Sequence, residues 1–298
     1  TTGSQNVAIG AASLYNNESG NYNIAIGRSS LYSNTASGNI GIGHESLKSN
    51  AAGAYNNATG YKALYANTTG SGNVGFGYQA LEDNTTADYN TSVGYQSMMN
   101  TTTGYYNAAL GKYALKANTT GNFNAAFGAN ALYANTTASS NTALGFNTLV
   151  INTTGSYNTA AGQGALYYNT TGTKNTASGS SALRLNTTGS YNTGIGNRTL
   201  DANTEGDKNT VLGYYAGGLN TTGDANVYIG YNAGYNSSYA TSDNKLVIAN
   251  SNTTTPLIDG DFSDATLKVN GSLSVTGSMN MGVNSTITRS TTFNGTAT

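Results

Sequence analysis

"NTTGSYNTAAGQGALYYNTTGTKNTASG", Asn152 to Gly179, says nearly the same thing twice. Its Asn-x-x-x-Gly element recurs at Asn6, Asn23, Asn39, Asn56, Asn73, Asn90, Asn107, Asn124, Asn141, Asn158, Asn175, Asn192, Asn209 and Asn226. Every step is 17 residues except Asn23 to Asn39, which is 16. A fixed short period marks a repeat architecture, in which each unit buries its apolar face only against its neighbours. The idealised unit is N-T-A-I-G-x-x-A-L-Y-x-N-T-T-G-S-Y, and about 14 copies cover residues 1 to about 240.

Two columns of the unit read as core. Three residues after the Asn stand Ile9, Ile26, Ile42, Phe76, Val93, Leu110, Phe127, Leu144, Ile195, Leu212 and Ile229, with Thr59, Ala161 and Ser178 as weak substitutes. Eight residues after it stand Leu14, Leu31, Leu47, Leu64, Leu81, Met98, Leu115, Leu132, Leu149, Leu166, Leu183 and Leu200, a series that ends at Gly217 and Gly234. Between Asn and Gly the residues alternate, Val7 and Ile9 to one face and Ala8 to the other, and period two predicts a strand. The small middle residue suits a face that another backbone approaches closely. The A-L-Y segment predicts a second short strand. NTTG predicts the turn, because Asn and Gly tolerate left-handed angles and Thr bonds locally.

A helical hairpin of this length is disfavoured, since Gly, Asn, Thr and Tyr dominate the unit and few apolar residues fall at helical spacing. One unit as one coil of a β-solenoid fits, with coils about 4.7–4.9 Å apart and a rod about 65 Å long. Two aliphatic side chains do not offset the entropy of ordering a whole coil. Stability must therefore come from coil-to-coil ladders and from burial between chains, which predicts an intertwined oligomer.

Composition narrows the function. The 298 residues include 39 Gly, 23 Tyr, one Pro and no Cys, with 8% charged residues, so the chain reads as ordered but without disulfides. A net charge of −1 with scattered cations gives no footprint for phosphate backbones, and nucleic-acid binding is not expected. No apolar run approaches the roughly 20 residues of a membrane span, so this segment is not expected to insert in a membrane. The chain starts at "TTGSQNVAIG" without an initiating Met, which reads as a fragment or processed product of something longer.

Chemistry has few candidates. His44 is the only His and reads as a loop side chain, and no triad can be assembled. Asp259, Asp261 and Asp264 in "DGDFSD" lack the remaining ligands of a calcium loop and read as a hydrogen-bonded turn. No catalytic residue, metal or cofactor is expected. The repeating Asn, represented by Asn107, Asn124, Asn141, Asn158, Asn175 and Asn192, predicts an internal ladder in which each side-chain amide bonds the next coil. Tyr22, Tyr55, Tyr89, Tyr106, Tyr157 and Tyr191 precede that Asn and are candidate receptor contacts. A second Tyr column runs through Tyr15, Tyr32, Tyr65, Tyr133, Tyr167 and Tyr235, and stacking along the fibre is the competing reading of both. Asn67, Asn118, Asn152 and Asn169 head Asn-Thr-Thr sequons, possible glycosylation acceptors that the period favours as turns. Thr91, Thr142, Thr159, Thr176, Thr193 and Thr210 raise ice binding, which needs a flat and regular Thr array.

"NVAIGAASLYNNESG" (Asn6–Gly20) and "NIAIGRSSLYSNTASG" (Asn23–Gly38) resemble the head repeats of trimeric autotransporter adhesins of the YadA-like type. The resemblance implies a left-handed parallel β-roll, three of which pack about a three-fold axis. The unit here is longer than the family's in its NTTG-x-Y region. The same wording is similar to repeat arrays in phage tail-fibre-like and bacterial surface proteins that carry a C-terminal endosialidase-type intramolecular chaperone. "NKLVIANSNTTTPLIDGDFSDATLKVNGSLSVTGSMNMG", Asn244 to Gly282, is similar to the segment that follows such arrays. In those proteins the chaperone drives trimerisation and is then cleaved off; no such domain is present in this sequence.

Independently of the resemblance, "KLVIAN" and "TLKVNGSLSVTGSM" alternate around the only Pro, Pro256, and predict a small β-rich module. The expected whole is all-β: a solenoid over 1–240 forming a homotrimer, then a β-prism-like stalk or connector over 241–298. "STITRSTTFNGTAT" is expected to add a strand or a frayed end. The expected function is that of a non-enzymatic fibre or adhesin segment, on a virion tail fibre or bacterial cell surface, meeting a host glycan or protein receptor. A depolymerase is the alternative from another class. It would need clustered carboxylates, and those here are sparse and out of register.

Overall fold

The computed structural model describes residues 2–276. Each coil contributes one three-residue strand that starts directly after the repeating Asn. These are β1 (Val7–Ile9), β2 (Ile24–Ile26), β3 (Ile40–Ile42), β4 (Asn57–Thr59), β5 (Val74–Phe76), β6 (Thr91–Val93), β7 (Ala108–Leu110), β8 (Ala125–Phe127), β9 (Thr142–Leu144), β10 (Thr159–Ala161), β11 (Thr176–Ser178), β12 (Thr193–Ile195), β13 (Thr210–Leu212) and β14 (Val227–Ile229). Each pairs in parallel with the strand one coil on, as in Ala8↔Ala25 and Ala109↔Ala126, so one sheet runs up a 14-turn β-solenoid. The 16-residue step leaves the register intact, with Ala25 opposite Gly41. The missing residue comes out of the turn, where the Ala36 carbonyl accepts from Asn34 and Asn23 at 2.8 and 2.9 Å.

The Leu column forms the interior: Leu31 to Leu200 are fully buried, with Met98 among them. The other predicted core column is outside. Ile9 is 58% exposed, Phe76 57% and Leu144 51%, whereas the middle residues Ala25, Ala58, Ala126, Ala143 and Ala160 are fully buried. The reason is the thinness of the coil. A Cβ at Gly41 would lie 3.2 Å from Leu31 Cγ, and from Ala8 to Gly194 only Ala, Gly or Ser stands at this position, giving way to Val211 and Tyr228 where the Leu column ends. The alternation was real, and it pointed the large residues away from the core.

The A-L-Y segment is not a strand. It is a tight turn in which the Leu and the residue two before it are left-handed, as at Leu64 (φ 52°) and Lys62 (φ 54°). A third left-handed residue precedes the Asn, as at Tyr89 (φ 55°). Such angles cost a non-glycine residue about 1 kcal/mol or more. Each is held by a bond to a neighbouring coil: Leu64 N–H to Ala80 O, Lys62 N–H to His44 O and Tyr89 N–H to Ser71 O, all at 3.0 Å. The Gly that closes each strand has no substitute. Gly60 has φ 138°, and a Cβ there would lie 2.3 Å from the Gly77 carbonyl oxygen.

The array ends by exchanging the places of large and small residues. Tyr228 occupies the middle position of β14 and is fully buried, and its ring fills the space over Gly217 and Gly234, where a Cβ would lie 2.8 Å from it. A 3₁₀ turn, Ser237–Tyr239, brings Tyr239 within 5.9 Å of that ring. β15 (Lys245–Ile248) continues the sheet in parallel with β14; β16 (Ile258–Asp261) and β17 (Thr266–Val269) then fold back as antiparallel strands. Pro256 lies in the connection between β15 and β16. Residues 272–275 form no strand, and "STITRSTTFNGTAT" lies outside the described residues.

Ala126→Leu is expected to destabilise the chain by about 1–3 kcal/mol through overpacking against the Leu column. Denaturant unfolding measures it; a neutral result would mean that the middle strand residue does not face inward.

Candidate binding surfaces and the polar ladders beneath them

The repeating Asn is buried in every coil from Asn23 to Asn226. Its Oδ1 accepts the backbone N–H of the next Asn: Asn107 accepts from Asn124 at 2.9 Å, Asn124 from Asn141 at 3.0 Å, Asn141 from Asn158 at 2.9 Å and Asn158 from Asn175 at 3.0 Å. Asn175 accepts from Asn192 at 2.9 Å, and Asn192 in turn from Asn209 at 3.0 Å. The Nδ2 turns back into its own coil and donates to the carbonyl fourteen residues on, as Asn141 does to Gly155 at 2.9 Å. One side chain thus closes its coil and joins it to the next.

The sequon Asn forms a second buried ladder. Asn67 Nδ2 donates to Asn50 Oδ1 and Gly70 O at 2.6 and 2.9 Å, Asn152 Nδ2 to Asn135 Oδ1 and Gly155 O at 2.9 Å, and Asn169 Nδ2 to Asn152 Oδ1 and Gly172 O at 2.8 and 3.0 Å. A sugar on these nitrogens would displace both bonds and occupy the interior. Asn118 is also buried, but its Nδ2 bonds only Gly121 O, at 3.1 Å. The cause sits one coil below, where Thr101 takes the ladder position. Thr101 Oγ1 and Asn84 Oδ1 are both buried without partners.

Three kinds of column face outward. The first is the apolar row of the strands, from Ile9 and Ile26 through Leu110, Phe127 and Leu144 to Ile229. The second is the Tyr row before the Asn, with Tyr22 at 65% and Tyr55 at 75% exposure and Tyr89, Tyr106, Tyr157 and Tyr191 also exposed. Tyr89, Tyr106 and Phe123 stack with centroids 5.1 and 5.7 Å apart, so ring faces cover one another and edges and hydroxyls meet solvent. The third row was not singled out from the sequence. His44, Tyr61, Tyr78 and Tyr95, each directly after the strand-closing Gly, stack at 5.4, 5.1 and 5.1 Å. Four rings in register were there to be found by extending the column search one position past the Gly. Of the second predicted column, Tyr15 and Tyr32 stack at 5.2 Å, while Tyr133 and Tyr167 have Lys116, Val150 and Arg184 above and below them in the column.

His44 thus lies on a ring, with its Nδ1 3.9 Å from Glu45 Oε2. Glu45 pairs with Lys48 at 2.6 Å, and that ammonium holds its carboxyl below the usual range. In "DGDFSD", Asp261 Oδ1 accepts from the backbone N–H of Ser263 at 2.9 Å and its other oxygen pairs with Lys245, which likewise lowers its carboxyl. No group of three or more metal-ligating side chains occurs among the described residues, and no helix among them is long and apolar enough to cross a membrane. Glu82 is the outlier: buried, with Oε2 unpartnered and Lys62 3.7 Å from Oε1, it has its pKa pushed up by desolvation.

Thr101→Asn is expected to restore the ladder and stabilise the chain by about 1–3 kcal/mol in denaturant unfolding, by satisfying the orphaned Asn84 oxygen. Glu82 is harder to ionise in the fold than in the open chain. Its cost is therefore absent below the ordinary carboxylate range and grows as pH rises through it. Glu82→Gln should raise the melting temperature at pH 7 and leave it unchanged near pH 3.

Compared with protein-family models, curated proteins and solved structures, the chain matches none of them.

Proposed function

We propose that the chain is a segment of a homotrimeric structural fibre that mediates attachment to a host or other surface, from a virion tail or a bacterial cell surface. The carrying observation is the apolar row on one side of the sheet: Ile9, Ile26, Ile42, Phe76, Leu110, Phe127, Leu144, Ile195, Leu212 and Ile229 are all exposed in the single chain. An apolar strip of this length, broken at Thr59 and at Ala161 and Ser178, marks an interaction surface. Identical strips on identical chains satisfy one another in a closed symmetric assembly, and the resemblance to adhesin and tail-fibre repeats favours three-fold closure. Residues 241–298 serve in this reading as the stalk or connector. The fibre acts by multivalency rather than catalysis, repeating weak contacts along three chains so that avidity compensates for the affinity of each. Release of reducing ends from host polysaccharide would instead favour a depolymerase.

One observation favours a second reading, ice binding. Thr142, Thr159, Thr176, Thr193 and Thr210 stand in register on five successive strands. Thermal hysteresis of the purified chain decides it, since a receptor-binding fibre shows none.

Mass measurement in solution is expected to give three times the 30.5 kDa of one chain. Leu110→Lys with Phe127→Lys and Leu144→Lys should shift it to one chain while the β-rich circular dichroism spectrum persists. A monodisperse single chain before mutation would contradict the trimer.

A further inference from the structure

The stacked Tyr rows offer edges and hydroxyls, because each ring face is covered by its neighbour. One stretch of the surface differs. From Lys116 to Arg184 one column on the side of the A-L-Y turn runs Lys116, Tyr133, Val150, Tyr167 and Arg184, so no two of its rings stack, and the neighbouring column holds only Tyr113 as a ring, followed by Asn130, Asn147, Gly164 and Ser181. Tyr113 and Tyr133 meet edge to face at 6.1 Å, and Tyr167 and Tyr168 are tilted at 4.7 Å. Two hollows open there, of about 360 and 330 Å³, and they adjoin through their shared residues Asn147 and Tyr167. The second exists because of Gly164. In the column of that left-handed position most coils carry a side chain, whereas a Cβ on Gly164 would meet only Ser181 Oγ at 3.9 Å.

We infer that this groove over coils seven to eleven binds an uncharged oligosaccharide lying along the fibre axis. The inference rests on the attachment reading and names the ligand class and place of contact. Five coils span about 19 Å, the length of a short glycan. Tyr133, Tyr167 and Tyr168 supply ring surface for the apolar C–H face of a pyranose. Hydroxyl partners come from carboxamides: Asn147 Oδ1 accepts from Asn130 at 2.9 Å, which leaves the Asn147 Nδ2 donors for a ligand, and Gln163 is exposed at the rim. The one charged lining residue, Arg184, is held by Asp201 at 2.8 Å, so the groove offers no free charge to an anionic sugar. The predicted Tyr contacts before each Asn belong to a different column and take no part in this groove.

Gly164→Tyr tests the groove. The same left-handed position already carries Tyr113 (φ 60°) and Tyr215 (φ 53°), so the fold accepts that residue there. Linear hexaoses of glucose, mannose and galactose are titrated against the wild-type chain and the variant, with a sialylated oligosaccharide as the anionic comparator. The expected result is binding of at least one hexaose, weakened at least tenfold by Gly164→Tyr, with the dichroism spectrum and mass unchanged. Absence of hexaose binding, equal binding by the variant, or preference for the anionic sugar would overturn the proposal. Adhesion to host cells separates it from its premise. If wild type and variant adhere equally, the groove falls and the attachment reading stands. If the wild type does not adhere, the attachment reading itself falls.

Discussion

Each coil is closed by an asparagine that bonds in two directions at once, to the end of its own coil and to the start of the next. Asn141 does so through Gly155 O and the Asn158 N–H, both at 2.9 Å. A polar group buried without a partner costs more than a hydrogen bond contributes, so a solenoid whose interior carries two Asn columns loses stability at each coil that fails to match its neighbour, as at Thr101. That requirement fixes the period. A residue can be dropped from the turn, as between Asn34 and Asn39, provided that the Ala36 carbonyl remains in place for both Asn34 and Asn23. The ladder also explains why so many non-glycine residues persist at positive φ: their N–H groups have partners only in adjacent coils.

With polar ladders holding the periphery of the interior, little room remains for apolar contact. One Leu, or Met98 in its place, and two small residues fill the cross-section of each coil up to Leu200, as Leu132, Ala126 and Ala131 do. The large strand residues therefore turn outward, and the apolar surface a globular protein would bury lies along one side of the rod. This division links fold to function. The ladders stabilise the coil, the outward strip is available for other copies of the chain, and the turn side is free to vary. It is on the turn side that Gln163, Gly164 and Tyr168 line the groove.

Much of this was legible in the sequence. The spacing from Asn6 to Asn226 fixed the solenoid, and alternation in "NVAIG" located the strand. Alternation gives two faces without saying which is inside, however. Hydrophobicity assigns the Ile column to the core, whereas the coil's thinness assigns that place to Ala and Gly. A-L-Y read as a strand because its left-handed angles fall on Leu and variable residues rather than on Gly or Asn, the usual signals of such angles. The groove depends on what one coil lacks relative to its neighbours, a signal that a consensus unit averages away.

The most direct test of the account is hydrogen exchange of side-chain carboxamides, followed by NMR. Two asparagines in each regular coil, such as Asn141 and Asn152, have Nδ2 groups that are buried and bonded, so their protons should exchange slowly in coil after coil. Those of the exposed Asn197 should exchange as in a free chain. Fast exchange of all side-chain carboxamides would contradict the ladders and the closed coil built on them.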